Sequence, residues 1–509
     1  MKKHLFLSTI VVLLTSAGLF ANSPEQKNEP LKITDSCYYY TLDNGLSLFV
    51  NENHTVPLTY IEIAVRAGAI TQSRETAGLF HLYEHMMFKG NSRFDNSAKV
   101  QKALSDMGTA SWNGTTGLEC VNYFFTIPSS ELENGLEFWN AAIREPLMEE
   151  SEFEVEKKVV ISEIQGNESN PDRYIGYYIN SHLFPDAPWQ LDPSGSVSNI
   201  ENATVETLRD IQKKYYVPEN AALFVGGDVD HEKVYELVNK IYGTWKNNGV
   251  SPEEIESVIV KQKDAPFEKP YLCVVPYDKI SPQIAQVNVM YRGPDSDFNE
   301  EETYAADLLG FAMGDPDSEY KQTFINDKKL CIPMDPDYVS SGYSTRRRTG
   351  IISFSAVMIS DDFDSVAERT VYFKDKVNEY MTSLSQKEFI VPLKNRERIS
   401  RRLRDDKVYD TETFKGPLSS LRYNWVTNSV DYYLSYYDKV ISASDKDIQN
   451  YIKKYIAGKN PIVVVYVNSK VYEKTKEAYE KAGFVEVDKS QAFWWQKSEG
   501  ENTNEKNKY

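Results

Sequence analysis

Apolar and polar positions change period several times along the chain. Between residues 38 and 70 the pattern is that of strands. YYYTLDNGLSLFVNE places an Asn-Gly pair between two β-rich runs and predicts a hairpin. YIEIAVRAG alternates up to a glycine stop and predicts another strand. RETAGLFHLYEHMMFKG then takes a helical period, with Gly90 as its stop. A second helix is predicted from Ser151. SEFE offers a capping box of Ser151 with Glu154, VEKKVVISEIQ continues the helix, and Gly166 ends it. Further on, AALFVGGDV reads as a strand and HEKVYELVNKIYGTW as an amphipathic helix.

From about 246 to 270 the pattern loosens, and Gly, Pro and charge accumulate as in an inter-domain linker. Beyond it a similar order resumes. PENAALFVGGDVDHEKVYELVNKIYG in the first half is matched by KNPIVVVYVNSKVYEKTKEAYEKAG in the second. Each has an apolar strand, a polar turn, and Lys-Val-Tyr-Glu opening a helix, which points to duplication. The expected fold class is α+β: two homologous α/β-roll halves, antiparallel-rich sheets packed with helices, joined by a linker. The expected boundaries are 1–21 for a leader, 22–250 for the first half, 251–268 for the linker, 269–495 for the second half and 496–509 for a disordered tail.

Length agrees with this, since 509 residues exceed what one core usually holds. The leader has Lys2 and Lys3 before the apolar run LFLSTIVVLLTSAGLFA, with a small residue at a cut after Ala21. This pattern predicts a cleaved secretory signal. The rival reading, an uncleaved anchor, needs a longer run. No later stretch reads as a membrane span, so an exported protein, periplasmic or secreted, is expected. A net charge of −18 makes nucleic acid a poor partner. The four cysteines, Cys37, Cys120, Cys273 and Cys331, include no C-x-x-C pair; export permits disulfides, and free thiols and any of three pairings stay open.

Against six histidines in all, HLYEHMMFKG places His81 and His85 four residues apart with Glu84 before the second. On a helix this spacing presents two imidazoles on one face, with Glu84 bordering them. Two nitrogens so placed suit Zn²⁺, which needs a further donor from another element. The pattern is H-x-x-E-H, the inverse of the commoner H-E-x-x-H.

GLFHLYEHMMFKG resembles the active-site helix of the pitrilysin/insulinase family of inverted zincins, which includes mitochondrial-processing-peptidase-like subunits. The likeness is strong over about 36–250 and weak over 265–495. It implies one Zn²⁺ per chain, held by His81, His85 and Glu163, the last in EKKVVISEIQGN. Glu156, seven residues earlier, takes a supporting role beside the ligands. Glu84 is the implied catalytic acid and base in peptide hydrolysis. GTASWNGTTGLECVNYFFTIP resembles the family's edge strand along the cleft and places Asn113 at its substrate-binding asparagine; a peptide substrate would add as a strand near 110–116.

One feature of active members is missing. Their second half carries an Arg and a Tyr seven residues apart. Aligned without gaps, SEYKQTFINDKKLCI puts Ile325 and Ile332 there; a gap would bring Tyr338 to the Tyr place, but no arginine occurs between 293 and 345. Isoleucine cannot stabilise an oxyanion. The expectation is therefore a metal-bearing subunit completed by a homologous partner with Arg and Tyr, a homodimer also being open. A different class, a non-catalytic peptide-binding or assembly subunit that keeps a metal site, stands as the alternative. The run Arg346–Arg347–Arg348 reads as a solvated strand end, with a cation for the site as the other option.

Overall fold

A computed structural model describes residues 29–262, 267–360 and 366–496. The leader (1–21) and the tail beyond Gln496 lie outside them. Among the described residues no helix is long and apolar enough to cross a membrane.

The first half is built on seven strands: β1 (Leu31–Lys32), β2 (Cys37–Thr41), β3 (Ser47–Glu52), β4 (Leu58–Val65), β5 (Ser111–Thr116), β6 (Val121–Pro128) and β7 (Ala221–Gly227). They lie in the order β1-β2-β3-β7-β4-β6-β5. The Asn44-Gly45 turn joins β2 to β3 as an antiparallel hairpin, with Gly45 at φ 86. The second half has six strands: β8 (Tyr271–Pro276), β9 (Ile284–Arg292), β10 (Val339–Thr345), β11 (Gly350–Ile359), β12 (Ile462–Val467) and β13 (Val485–Glu486). Their order is β10-β11-β9-β12-β8-β13.

Five strands correspond. The run β3-β7-β4-β6-β5 reappears as β8-β12-β9-β11-β10, with β3 parallel to β7 as β8 is to β12 and antiparallel pairing through the rest. The two Lys-Val-Tyr-Glu segments open the helices His231–Tyr242 and Ser469–Lys481, directly behind β7 and β12. The chain therefore contains two copies of one mixed-sheet, helix-packed α+β unit.

Neither sheet turns a face to water over its centre. In β4, Ile61, Ile63 and Val65 join the core of their own half, while Tyr60 and Ala64 pack against Leu418, Leu421 and Trp425 of the second half. In β12, Val463, Val465 and Val467 face their own core, while Ile462 and Val464 meet Ile175, Tyr178 and Leu183 of the first. Each half thus lends a helix, Pro171–Leu183 or Leu418–Thr427, to the back of the other's sheet. The alternation of YIEIAV sorts residues between two buried faces. Its polar member, Glu62, is 1% exposed and paired with Arg422 at 2.9 Å.

The Arg346–Arg348 run is not a solvated strand end. At the β10–β11 turn the Arg347 N–H donates to Glu119 of the first half at 2.8 Å, its guanidinium pairs with Glu256 at 2.7 Å, and Arg348 pairs with Asp297. Arg347 joins the halves because the turn lands on the β5–β6 connection, while Arg348 stays within the second half. All four cysteines are free thiols, three of them buried.

Candidate metal centre

The motif helix spans Leu79–Met86, five residues shorter at its start than the helical pattern of RETAGLFHLYEHMMFKG. Gly78 precedes it in the left-handed region, at φ 93, and a Cβ there would stand 2.7 Å from the Ser194 carbonyl oxygen. That close approach sets the start. Phe80, Leu82, Tyr83 and Met86 are buried in the core, leaving His81, Glu84 and His85 on the open face.

The second helix runs Glu150–Ser169 and differs from expectation at both ends. Ser151 lies inside it and caps nothing; the N-cap position is Glu149, without a side-chain cap. Gly166 does not stop it, because the helix is exposed there and the chain keeps helical geometry past it. The stop is Asn170, held extended by the following Pro171, and Asn170 caps the next helix. The face that matters is Phe153, Glu156, Val160 and Ile164, all buried, with Glu163 beside it and about half exposed.

These two helices bring four of the expected residues together. His81 Nε2 stands 3.5 Å and His85 Nε2 3.8 Å from Glu163 Oε2. Donor atoms of the three residues lie within 4.8 Å of one another. A tetrahedral Zn²⁺ with bonds of about 2.0–2.1 Å places its donors about 3.4 Å apart, so nitrogen, nitrogen and carboxylate oxygen fit in kind and in spacing. Glu156 Oε2 meets His85 Nδ1 at 3.0 Å, and its other oxygen meets Lys89 Nζ at 2.6 Å. With Nδ1–H donating to Glu156, His85 turns the lone pair of Nε2 toward Glu163. Burial, and then the neighbouring His85, pushes the His81 pKa down to about 4, which keeps this imidazole neutral.

Glu84 is not part of that triangle. Its Oε2 accepts from Thr116 Oγ1 at 2.7 Å. Burial raises its carboxyl pKa; the Thr116 bond and His85 oppose, and Glu163 adds to the rise. Gly114 faces it too, since a Cβ there would stand 2.9 Å from Glu84 Oε1. Strand periodicity puts Asn113 on the opposite side of β5 from Gly114. Asn113 is exposed at the sheet edge, paired with Phe124, and no hydrogen bond joins it to the cluster among the described residues. Thr116 and Lys89 were not singled out in the sequence. The period-two register of β5 carried a signal for Thr116, and Lys89 lies four residues past His85.

Other histidines are engaged elsewhere: His54 with Asp228 at 2.7 Å, His182 with the Tyr178 carbonyl at 2.7 Å, and His231 with the Tyr40 hydroxyl at 2.5 Å. In the second half, Ile325 and Ile332 are both 6% exposed within their own core. Both side chains are spent on packing in that core.

A two-half sheet fold with two histidines and a glutamate on facing helices, and a second glutamate beside them, belongs to the class of inverted-motif metallopeptidases. Residues 48–191 match the family described as Insulinase (Peptidase family M16), and residues 202–390 match the one described as Peptidase M16 inactive domain. The chain belongs to this M16, or insulinase, family. Among its relatives, a protein named zinc protease PqqE from Helicobacter pylori is 24% identical over 332 residues, 64% of this chain and 70% of that one. The probable mitochondrial-processing peptidase subunit beta of Arabidopsis thaliana is 27% identical over 202 residues, 40% of this chain and 38% of that one. In fold, the crystal structure of a protease from Helicobacter pylori superposes with a TM-score of 0.67 at 19% identity, covering 85% of this chain and 99% of its own.

Proposed function

We propose that this chain is an exported zinc-dependent endopeptidase subunit that hydrolyses peptides or unfolded segments. The observation that carries the reading is the His81–His85–Glu163 triangle with Glu84 beside it and outside it. Zinc held there supplies Lewis acidity and lowers the pKa of water from about 15.7 to about 7. The chain's own residues do the rest. Glu84 Oε1, the oxygen not engaged by Thr116, takes a proton from water and passes one to the leaving amine. Burial favours this role by making the carboxylate a stronger base. The edge of β5 receives the peptide through main-chain hydrogen bonds, with Asn113 beside it.

The burial of Ile325 and Ile332 leaves the substrate carbonyl without an Arg or Tyr from that segment. This supports the second part of the reading: a homologous partner subunit supplies those groups. A relative that is itself named a subunit supports it as well. Losing one oxyanion donor costs about 10²–10³ in rate. The purified chain alone is expected to cleave a quenched peptide weakly, and a co-encoded homologue to raise the rate at least a hundredfold. Full activity from the chain alone would remove the partner. Absence of zinc from the natively purified protein would remove the enzyme. The non-catalytic alternative is separated by Glu84→Gln, which leaves zinc and peptide binding intact and abolishes any turnover.

A further inference from the structure

The two helices that carry the metal donors are both tied to one loop. Residues 192–195 follow the short turn Pro188–Leu191. On one side Gly195 packs against the start of the motif helix. It has φ 72, and a Cβ there would stand 2.3 Å from the Ala77 carbonyl oxygen and 2.4 Å from Gly78 Cα. On the other side Ser194 Oγ accepts from Asn167 Nδ2 at 3.2 Å. Asn167 lies four residues past Glu163, one turn along the same helix. A second route reaches the motif helix through Gln72, which is buried. Its Nε2 donates to the Trp189 and Asp192 carbonyls at 2.8 and 3.0 Å, and its Oε1 accepts from the Gly78 N–H at 2.7 Å. A shift of this loop therefore moves the start of the His81–His85 helix and the end of the Glu163 helix together.

Asp192 fixes the loop, and it is held from both halves. Its side chain is 1% exposed. Oδ1 accepts from the Ser194 N–H at 3.0 Å, and Oδ2 accepts from Trp494 Nε1 at 3.1 Å. Trp494 belongs to the second half and opens its last described turn, Trp494–Gln496. First-half residues enclose the indole: Trp189 meets it edge to face at 6.4 Å, and the Arg74 guanidinium lies over it at 5.9 Å. Ala492 and Phe493 beside it are buried against Ile175, Tyr178 and Leu183 of the first half. An indole N–H can only donate, and a buried carboxylate oxygen that loses its donor must find another or stay unsatisfied. Removing this donor favours a displaced loop.

We propose that Asp192 and Trp494 are a positioning pair for the metal centre: a hydrogen bond delivered by the C-terminal segment of the second half sets the spacing of His81 and His85 against Glu163. Neither residue touches a metal donor; both act through residues 192–195. Metal affinity in the first half thus depends on how the far end of the chain docks. Taking the ion as zinc rests on the function proposed above.

The test uses the full chain. Trp494→Phe keeps a ring and removes the N–H, and Asp192→Asn puts an amide that must match two donors with one acceptor oxygen. Each is expected to weaken zinc binding about tenfold, read by competition with a chelator, with thermal unfolding close to the parent. Because both remove the same bond, the double variant should lose no more than the weaker-binding single one. Trp495→Phe is the control. It lies in the same segment but stacks on Phe493 at 4.7 Å, and should keep zinc affinity within about twofold of the parent. A second readout needs no metal. In zinc-free protein, amide hydrogen exchange over 79–86 and 163–169 should be faster in Trp494→Phe than in the parent, and unchanged in Trp495→Phe. If Asp192→Asn does not fold, Trp494→Phe and its exchange pattern decide alone. Parental zinc affinity in Trp494→Phe, additive losses in the double variant, an equal loss in Trp495→Phe, or unchanged exchange over both helices would each overturn the pair. Failure of the parent to bind zinc would instead count against the zinc reading, and the exchange comparison would still decide whether Trp494 holds the two helices.

Discussion

At Glu84 the decisive contact is one hydroxyl. Thr116 Oγ1 at 2.7 Å holds one carboxylate oxygen, so the other is left for proton transfer. Hydrogen bonds to charged groups contribute about 1.5–3 kcal/mol. Thr116→Val should therefore lower kcat by about 10- to 100-fold with little change in KM, and Thr116→Ser should restore most of it. A Thr116→Val enzyme with parental kcat would remove this positioning role. The histidines are held differently. His85 is oriented by Glu156, itself tied to Lys89, so Glu156→Gln should weaken zinc affinity about 10- to 100-fold, read by competition with a chelator. An unchanged affinity would contradict the orienting role.

Among the elements, the helix Glu150–Ser169 carries the distant ligand, and its exposed Gly166 is a weak point. A glycine inside a helix costs about 0.5–1 kcal/mol relative to alanine, and here an added Cβ meets nothing within 4 Å. Gly166→Ala should raise stability by that amount in thermal or denaturant unfolding and leave zinc binding alone. A destabilised variant would mean the helix is not continuous there. The same helix illustrates how local signals compete. Ser151 with Glu154 fits a capping box, yet the helix has already started at Glu150 and ends on the stronger steric rule at Asn170-Pro171.

For the whole molecule the interface between the halves holds buried ionisable groups: Glu62 with Arg422, and Glu119 with the Arg347 backbone. Burial, opposed by the Arg347 N–H and the Arg346 and Arg347 charges, raises the Glu119 pKa from 4.5 to about 7. A raised carboxyl means the folded state holds a proton that the unfolded state releases first. Its contribution to stability is full below about pH 4.5 and is lost as pH rises through about 7. Glu119→Gln keeps an acceptor for Arg347 and cannot ionise. It should shrink the fall in Tm between pH 5 and pH 8; an unchanged fall would mean Glu119 is not protonated in the folded state.

What this sequence determined by itself was local and periodic. The Asn44-Gly45 hairpin, the strand-to-helix change ahead of His81, and the repeated Lys-Val-Tyr-Glu units each rest on short-range sterics or on the 2.0 and 3.6 periods. His81, Glu84 and His85 share one helical turn, so their common face was legible. Glu163 lies on another helix, and resemblance, not spacing, pointed to it. The tertiary structure alone decided how far Glu163 stands from the rings, that Thr116 reaches Glu84, that YIEIAV has two buried faces, and that Arg347 joins the halves. Those outcomes depend on chain segments far apart in sequence packing together, and no local pattern of polarity encodes which distant surface a given face will meet.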